Sequence, residues 1–442
     1  MTSPIRTSAS HAPLDHRTRK SLAIGAAVAL TVPGLVVRLG GGEPPNLAAG
    51  ALFGAAIVGA AFLLAWAAEA LELDVAKGVA LAVLALIAVL PEYAVDFTFA
   101  LKAGANPDKY APLALANMTG GNRLLIGVGW VLVVLLAAWR IRRAARARGY
   151  EGELDTEVRL DRPHAIEITF LAVATVYSLT LPLKSRLTLF DAAILVAIYV
   201  AYVARVARAP AEEPDLVGPA QLLGEMPKTR RRTSVGAMLV FAALAIVLCA
   251  EPFADSLVDS GKELGISTFL LVQWLAPLAS EAPELLVAAL FAWRLNTNSG
   301  LGTLVSSKVN QWTLLVGSLP LVFLVAGGAA SGLPLDTLQR EELFLTAAQS
   351  VFAVAVLASR SISVREAWAL FGLFALQFVL GGVLPADLRE WERLGVGIVY
   401  LVLAAGVLVT GWNGLRALFR DGFRTPVAEL VHEPAAAPVS GS

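Results

Sequence analysis

Leu90-Pro91-Glu92-Tyr93-Ala94-Val95-Asp96 sets a proline and two carboxylates inside an apolar run from about residue 79 to 101. A run of that length can cross a bilayer, where an ionised carboxylate costs at least ~2.5 kcal/mol. A charge at that depth needs a partner or a ligand. The same device recurs as Ser280-Glu281-Ala282-Pro283-Glu284, inside the run 266–293. The spacing puts Glu92 and Asp96 on one helix face, and Glu281 and Glu284 on one face of another. Pro91 and Pro283 each remove a helix hydrogen bond and free the carbonyl four residues earlier, so each is expected to kink its span.

Freed carbonyls and carboxylates are what a hard cation takes as ligands. The side-chain oxygens of Asn117, Asn122, Ser306, Ser307, Asn310 and Gln311 add to them. Ca2+ takes roughly six to eight oxygens, and Glu92 facing Glu284 would balance its charge. The competing reading pairs each carboxylate with a buried base, Arg123 or Lys308. The symmetric placement of Glu92 and Glu284 favours the ligand. All four histidines fall in polar tails or loops, and Cys249 is the single cysteine, which excludes disulfides and a thiolate cluster. No nucleophile–histidine constellation lies at membrane depth, so the chain is expected not to be an enzyme. No cofactor is expected beyond the transported cation.

The elements that must position these groups are spans. Of 442 residues, 57% are hydrophobic and only 16% charged, which marks an integral membrane protein. Lys plus Arg (35) equals Asp plus Glu (35), so nothing suggests a nucleic-acid partner; the bilayer and the cation are the expected partners. Spanning runs fall at about 21–38, 46–71, 77–103, 110–140, 165–183, 187–207, 234–259, 266–294, 299–328, 342–359, 366–384 and 394–416. This predicts an all-α protein of about twelve transmembrane helices. With each gap numbered by the span before it, the basic residues gather in even gaps. Arg140, Arg142, Arg143, Arg146 and Arg148 follow span four, and Arg205, Arg208, Lys228 and Arg230 to Arg232 follow span six. The positive-inside rule then makes both termini cytoplasmic, in the cytoplasmic (inner) membrane.

Spans two to four match spans seven to nine. Glu69 and Glu251 end the first members, and Pro91-Glu92 and Pro283-Glu284 mark the second. Setting Asn122 on Asn310 also sets Gly129 on Gly317. The offset of five spans inverts the second copy, which predicts two inverted five-helix repeats with one extra helix at each end. The expected organisation is a tail 1–20, a first span and loop 21–45, a first repeat 46–208 and a cytoplasmic linker 209–233. A second repeat 234–384, a last span 385–426 and a disordered tail 427–442 follow. Glu69, Glu251, Asp255 and Asp191 read as interfacial, with Glu69 and Glu251 the candidates to line an access path.

A Pro-Glu inside an apolar helix, twice, each followed by a helix rich in Gly, Asn and Ser, resembles the sodium/calcium exchanger superfamily of cation antiporters. The resemblance covers about residues 60–130 and 245–320. It implies a Ca2+ site between the two Pro-Glu helices, with Glu92 and Glu284 as the two acidic ligands, and exchange for Na+ or H+. Where the family usually shows Gly-Thr-Ser before Pro-Glu, this chain reads Ile87-Ala88-Val89-Leu90 and Ala279-Ser280-Glu281-Ala282.

The expected function is therefore secondary antiport of Ca2+ or a related cation against Na+ or H+ by alternating access. The alternative is a passive cation channel with a carboxylate filter, which would need no counter-ion. Lys308 divides two further readings. Its ammonium either stands in for Na+ among oxygens, leaving H+ as the counter-ion, or snorkels towards the cytoplasmic surface.

Overall fold

The computed structural model describes residues 16–74, 89–150, 152–208 and 216–431. Every expected span has a helical counterpart there. These are α1 (His16–Gly40), α2 (Asn46–Leu71), α3 (Leu90–Ala105), α4 (Pro107–Ala147), α5 (Ala165–Ser178) and α6 (Leu189–Val206). After a short α7 (Pro219–Gly224) come α8 (Lys228–Leu264), α9 (Thr268–Trp293), α10 (Thr297–Val325), α11 (Thr337–Leu357), α12 (Val364–Val383) and α13 (Ala386–Thr410). Among the described residues ten helices are long and apolar enough to cross a membrane. The other two of the twelve are α3, whose preceding residues 75–88 lie outside the description, and α11, whose first two turns carry Arg340, Glu341 and Glu342.

Two two-stranded sheets tie the halves together. Val158–Arg159, in gap four, pairs antiparallel with Ser361–Ile362, in gap ten. Arg186–Leu187, in gap five, pairs with Leu333–Pro334, in gap nine. Even gaps meet even gaps and odd meet odd, as alternating spans require. At the centre, α3 packs on α10 and α9 packs on α4, so each half supplies a Pro-Glu helix to the other half's Asn-containing helix. Helices α2 and α8 cross beside them, with Gly54 against the Phe253 ring.

Four expectations need correction. Pro91 does not kink a continuous helix: Val89 is non-helical (φ −93°, ψ 6°) and Pro91 sits in the first turn of α3, where its missing N–H costs nothing. The stretch 216–233 is not a bare linker, because Val217, Ala220 and Leu223 are buried, α7 forms around them, and α8 begins at Lys228. Residues 209–215 lie outside the description. The last span ends at Thr410, and an amphipathic α14 (Trp412–Phe423) follows the break at Gly411. The tail begins with α15 (Val427–Val431), which buries Val427 and Leu430; residues 432–442 lie outside the description.

Candidate ion-binding site

Each Pro-Glu helix carries its carboxylates close to a proline. Glu92 lies in the first turn of α3, at the positive end of its dipole. Glu281 and Glu284 lie on α9, which carries both Pro277 and Pro283. Pro277 has no N–H to offer the Gln273 carbonyl, and that freed oxygen packs against Gly120 of α4, where any Cβ would overlap it. The close approach brings Gly121 to the carboxylates. A Cβ there would stand 2.6 Å from Glu281 Oε1 and 3.5 Å from Glu92 Oε1. A short π-helical stretch follows each Asn-containing segment, Leu125–Trp130 in α4 and Gln311–Leu315 in α10. Such stretches recur at functional sites because they redirect side chains. Here the second one carries Gln311.

Gln311 joins the two Pro-Glu helices. Its Nε2 donates to Glu92 Oε2 at 2.9 Å and to Glu281 Oε1 at 3.1 Å. Glu92 is 4% exposed and Glu281 2%. One turn along α3, Asp96 accepts from Asn117 Nδ2 at 2.9 Å. Glu284 is less buried and lies beside Ser307 without a formed hydrogen bond. Tyr93 donates to Asn310 Oδ1 at 3.0 Å, fixing α3 on α10. Seven buried oxygens around these pairs have no protein partner: Glu92 Oε1, Asp96 Oδ2, Asn117 Oδ1, Glu281 Oε2, Glu284 Oε2, Ser307 Oγ and Gln311 Oε1. Orphaned buried oxygens are costly unless something positive or hydrogen-donating meets them. Among the described residues no three His, Cys, Asp or Glu side chains converge as a ready-made cage. An ion held here would therefore use amide oxygens as well as carboxylates.

Neither buried base pairs with these carboxylates. Lys308 is fully buried and donates to Asn122 Oδ1 at 2.6 Å and to its carbonyl at 3.1 Å, with Trp312 beneath it at 4.6 Å. This overturns the snorkelling reading, since the four-carbon stem turns inward to the facing repeat. It also occupies the oxygens of Asn122. Arg123 donates to Glu342 at 2.6 Å and lies over Trp274; Gln273 donates to the same Glu342 oxygen at 2.8 Å.

Of the remaining sequence candidates, Ser306 is taken by Tyr202 at 2.7 Å. Glu69 and Glu251 are engaged by other parts of the chain. Glu69 accepts from the Val217 backbone, tying the segment before α7 to α2, and Glu251 is exposed, with Arg38 at 3.3 Å. Asp255 pairs with Lys102, and Asp191 caps α6 through Thr188. Sequence reasoning missed Gln273, Glu342 and Tyr93. The two polar side chains inside apolar runs were the available signal.

Inverted repeats meeting at a buried, oxygen-rich centre define a secondary cation transporter, with both Pro-Glu helices at its core. A family model described as "Sodium/calcium exchanger protein" matches residues 46–207 and 234–381, and the chain belongs to that family. A crystal structure of the H+/Ca2+ exchanger CAX is 40% identical with a TM-score of 0.82, covering 91% of this chain and 98% of that one. Native YfkE shares the fold, at 13% identity and a TM-score of 0.57, covering 87% of this chain and 100% of that one. The comparison with curated proteins gave no match. The chain is a multi-pass membrane antiporter of cations; nothing favours the channel reading.

Proposed function

We propose that the chain exchanges Ca2+ for H+ across the cytoplasmic membrane by alternating access, with both termini on the cytoplasmic side. The observation that carries the choice of H+ over Na+ is Lys308. Its ammonium bears the charge of an alkali ion and already fills the oxygens of Asn122, which an exchanged Na+ would otherwise use. The 40% identical neighbour, an H+/Ca2+ exchanger, supports the same choice. Glu92, Glu281 and Gln311 form the centre of the proposed site, with Asp96 and Asn117 on one side and Glu284 and Ser307 on the other. Asn310 fixes the wall through Tyr93. Ca2+ entering the centre meets unpartnered oxygens of four carboxylates and two amides, a hard-donor set that suits it. Protons returning to those carboxylates would release it.

The test is Ca2+ flux in proteoliposomes with pH and Na+ gradients imposed separately. Uptake driven by the pH gradient alone is expected. Uptake that follows Na+ and ignores pH would overturn the assignment, and uptake with no counter-ion movement would restore the channel.

A further inference from the structure

A second buried carboxylate stands apart from the central site. Glu392 of α13 is 8% exposed, and neither of its oxygens has a protein partner. It lines a cavity of about 210 Å3 whose inner wall also includes Gln273, Glu342 and Gln377. The rim carries Ser267, Leu338, Gly381 and Arg389, all at the ends of helices bounding gaps seven, nine and eleven. The cavity therefore lies at the odd-gap face, opposite the Arg-rich even gaps.

The charged groups facing Glu392 are Glu342 of α11, Arg123 of α4 and Arg393 on its own helix. All three are already engaged: Glu342 with Arg123 at 2.6 Å, and Arg393 with Glu341 at 2.8 Å. Arg389 lines the same cavity and donates to the Leu384 carbonyl. Two arginines beside the carboxylate disfavour a divalent metal ion, whereas a proton adds to one oxygen without needing further ligands. Glu342 of the cavity wall pairs with Arg123, which stands two residues along α4 from Gly121, and Gly121 borders the central carboxylates.

We propose that Glu392 is the landing site of the counter-ion proton on the odd-gap face, the extracytoplasmic one in the topology above. The inference rests on the H+ reading. In the step itself a hydronium at the cavity mouth loses a proton, an O–H bond forms on Glu392, and a water remains; no electrons move. A proton held there lies on the side where a proton-driven exporter of Ca2+ must load.

The experiment measures Ca2+/H+ exchange in right-side-out and everted vesicles while pH is varied on one face at a time. In Glu392→Gln the proton concentration for half-maximal exchange is expected to rise about tenfold, one pH unit, on the odd-gap face alone. The half-saturating Ca2+ concentration should stay unchanged, and Glu392→Asp should restore most of the shift. Gln377→Leu keeps the carboxylate but makes the wall apolar, and should slow proton loading from the same face even if Glu392→Gln fails to fold. A wild type that moves no protons overturns the H+ reading and this inference with it. A proton-coupled wild type whose pH profile survives both Glu392→Gln and Gln377→Leu, or shifts equally on both faces, overturns the landing site alone.

Discussion

Glu92 and Glu281, on helices from opposite halves of the chain, accept hydrogen bonds from one and the same amide nitrogen of Gln311. Two carboxylates this close to one donor leave Glu92 Oε1 and Glu281 Oε2 without partners. Glu92→Gln and Glu281→Gln keep the shape and remove the charge. Each is expected to lower Ca2+ exchange by about 100-fold or more, as ~3 kcal/mol of lost charged ligation would give. Glu284→Gln, outside the amide bridge, should weaken apparent Ca2+ affinity without abolishing exchange. Flux in proteoliposomes, with size-exclusion profiles as the folding control, decides; wild-type rates in Glu92→Gln or Glu281→Gln would displace the site.

Lys308→Ala should open the oxygens of Asn122. The expected outcome is a Na+ dependence of Ca2+ flux at constant pH that the wild type lacks. Strong Na+-driven uptake in the wild type would remove Lys308 from the ion site and assign it to packing. A mutant that is inactive but still folded would leave the ammonium essential for H+ coupling itself.

Much of this site was legible because membrane burial makes charge expensive. Pro91-Glu92 and Pro283-Glu284 stood out against apolar runs, and the Arg-rich gaps marked alternating faces. Periodicity, however, fixes which residues share a face of one helix, not how that face turns against another. Repeat symmetry paired Glu92 with Glu284, and the packing of α9 on α4 also brings Glu281 to Gln311. The partnership of Lys308 with Asn122 spans 186 residues and has no local signal. Pro91 was read as a kink because composition does not distinguish a bent helix from one that starts afresh.

Asp74, just beyond the end of α2, accepts from Arg231 at 2.7 and 3.0 Å and from Arg232 at 3.1 Å. The Arg231 hydrogen bond holds its carboxyl below the usual aspartate range. A carboxyl whose folded pKa is depressed adds stability that is present above its unfolded value, near about 4, and is lost as pH falls through the folded value. Asp74→Asn should therefore melt below the wild type at pH 7, with the gap narrowing in acid. A gap that holds constant down to about pH 3 would mean the clamp does not titrate as the structure implies.

The proposed topology rests on loop charge and can be checked with single thiols. Cys249 is buried, so Cys249→Ala gives a quiet background. On that background Ser3→Cys and Ala211→Cys should resist an impermeant thiol reagent in intact cells and react after permeabilisation. Labelling of either in intact cells would invert the orientation and place the Glu392 cavity on the cytoplasmic side.

Arg123 and Glu342 form a buried ion pair at the wall of the Glu392 cavity, 2% and 5% exposed at their side chains. Arg123 Nε and Nη1 have no partner, so its charge rests on Glu342 and on the Trp274 face. Breaking a buried pair from one side strands the other charge, at about 3–5 kcal/mol. Arg123→Met leaves Glu342 with Gln273 alone, and Glu342→Gln leaves a bare guanidinium. Each is expected to destabilise by that order. The double variant should lose less than the sum by ~2 kcal/mol or more, since neither charge is then stranded. Thermal unfolding of the four proteins in detergent gives the cycle. Additive losses would show that the two side chains do not depend on each other.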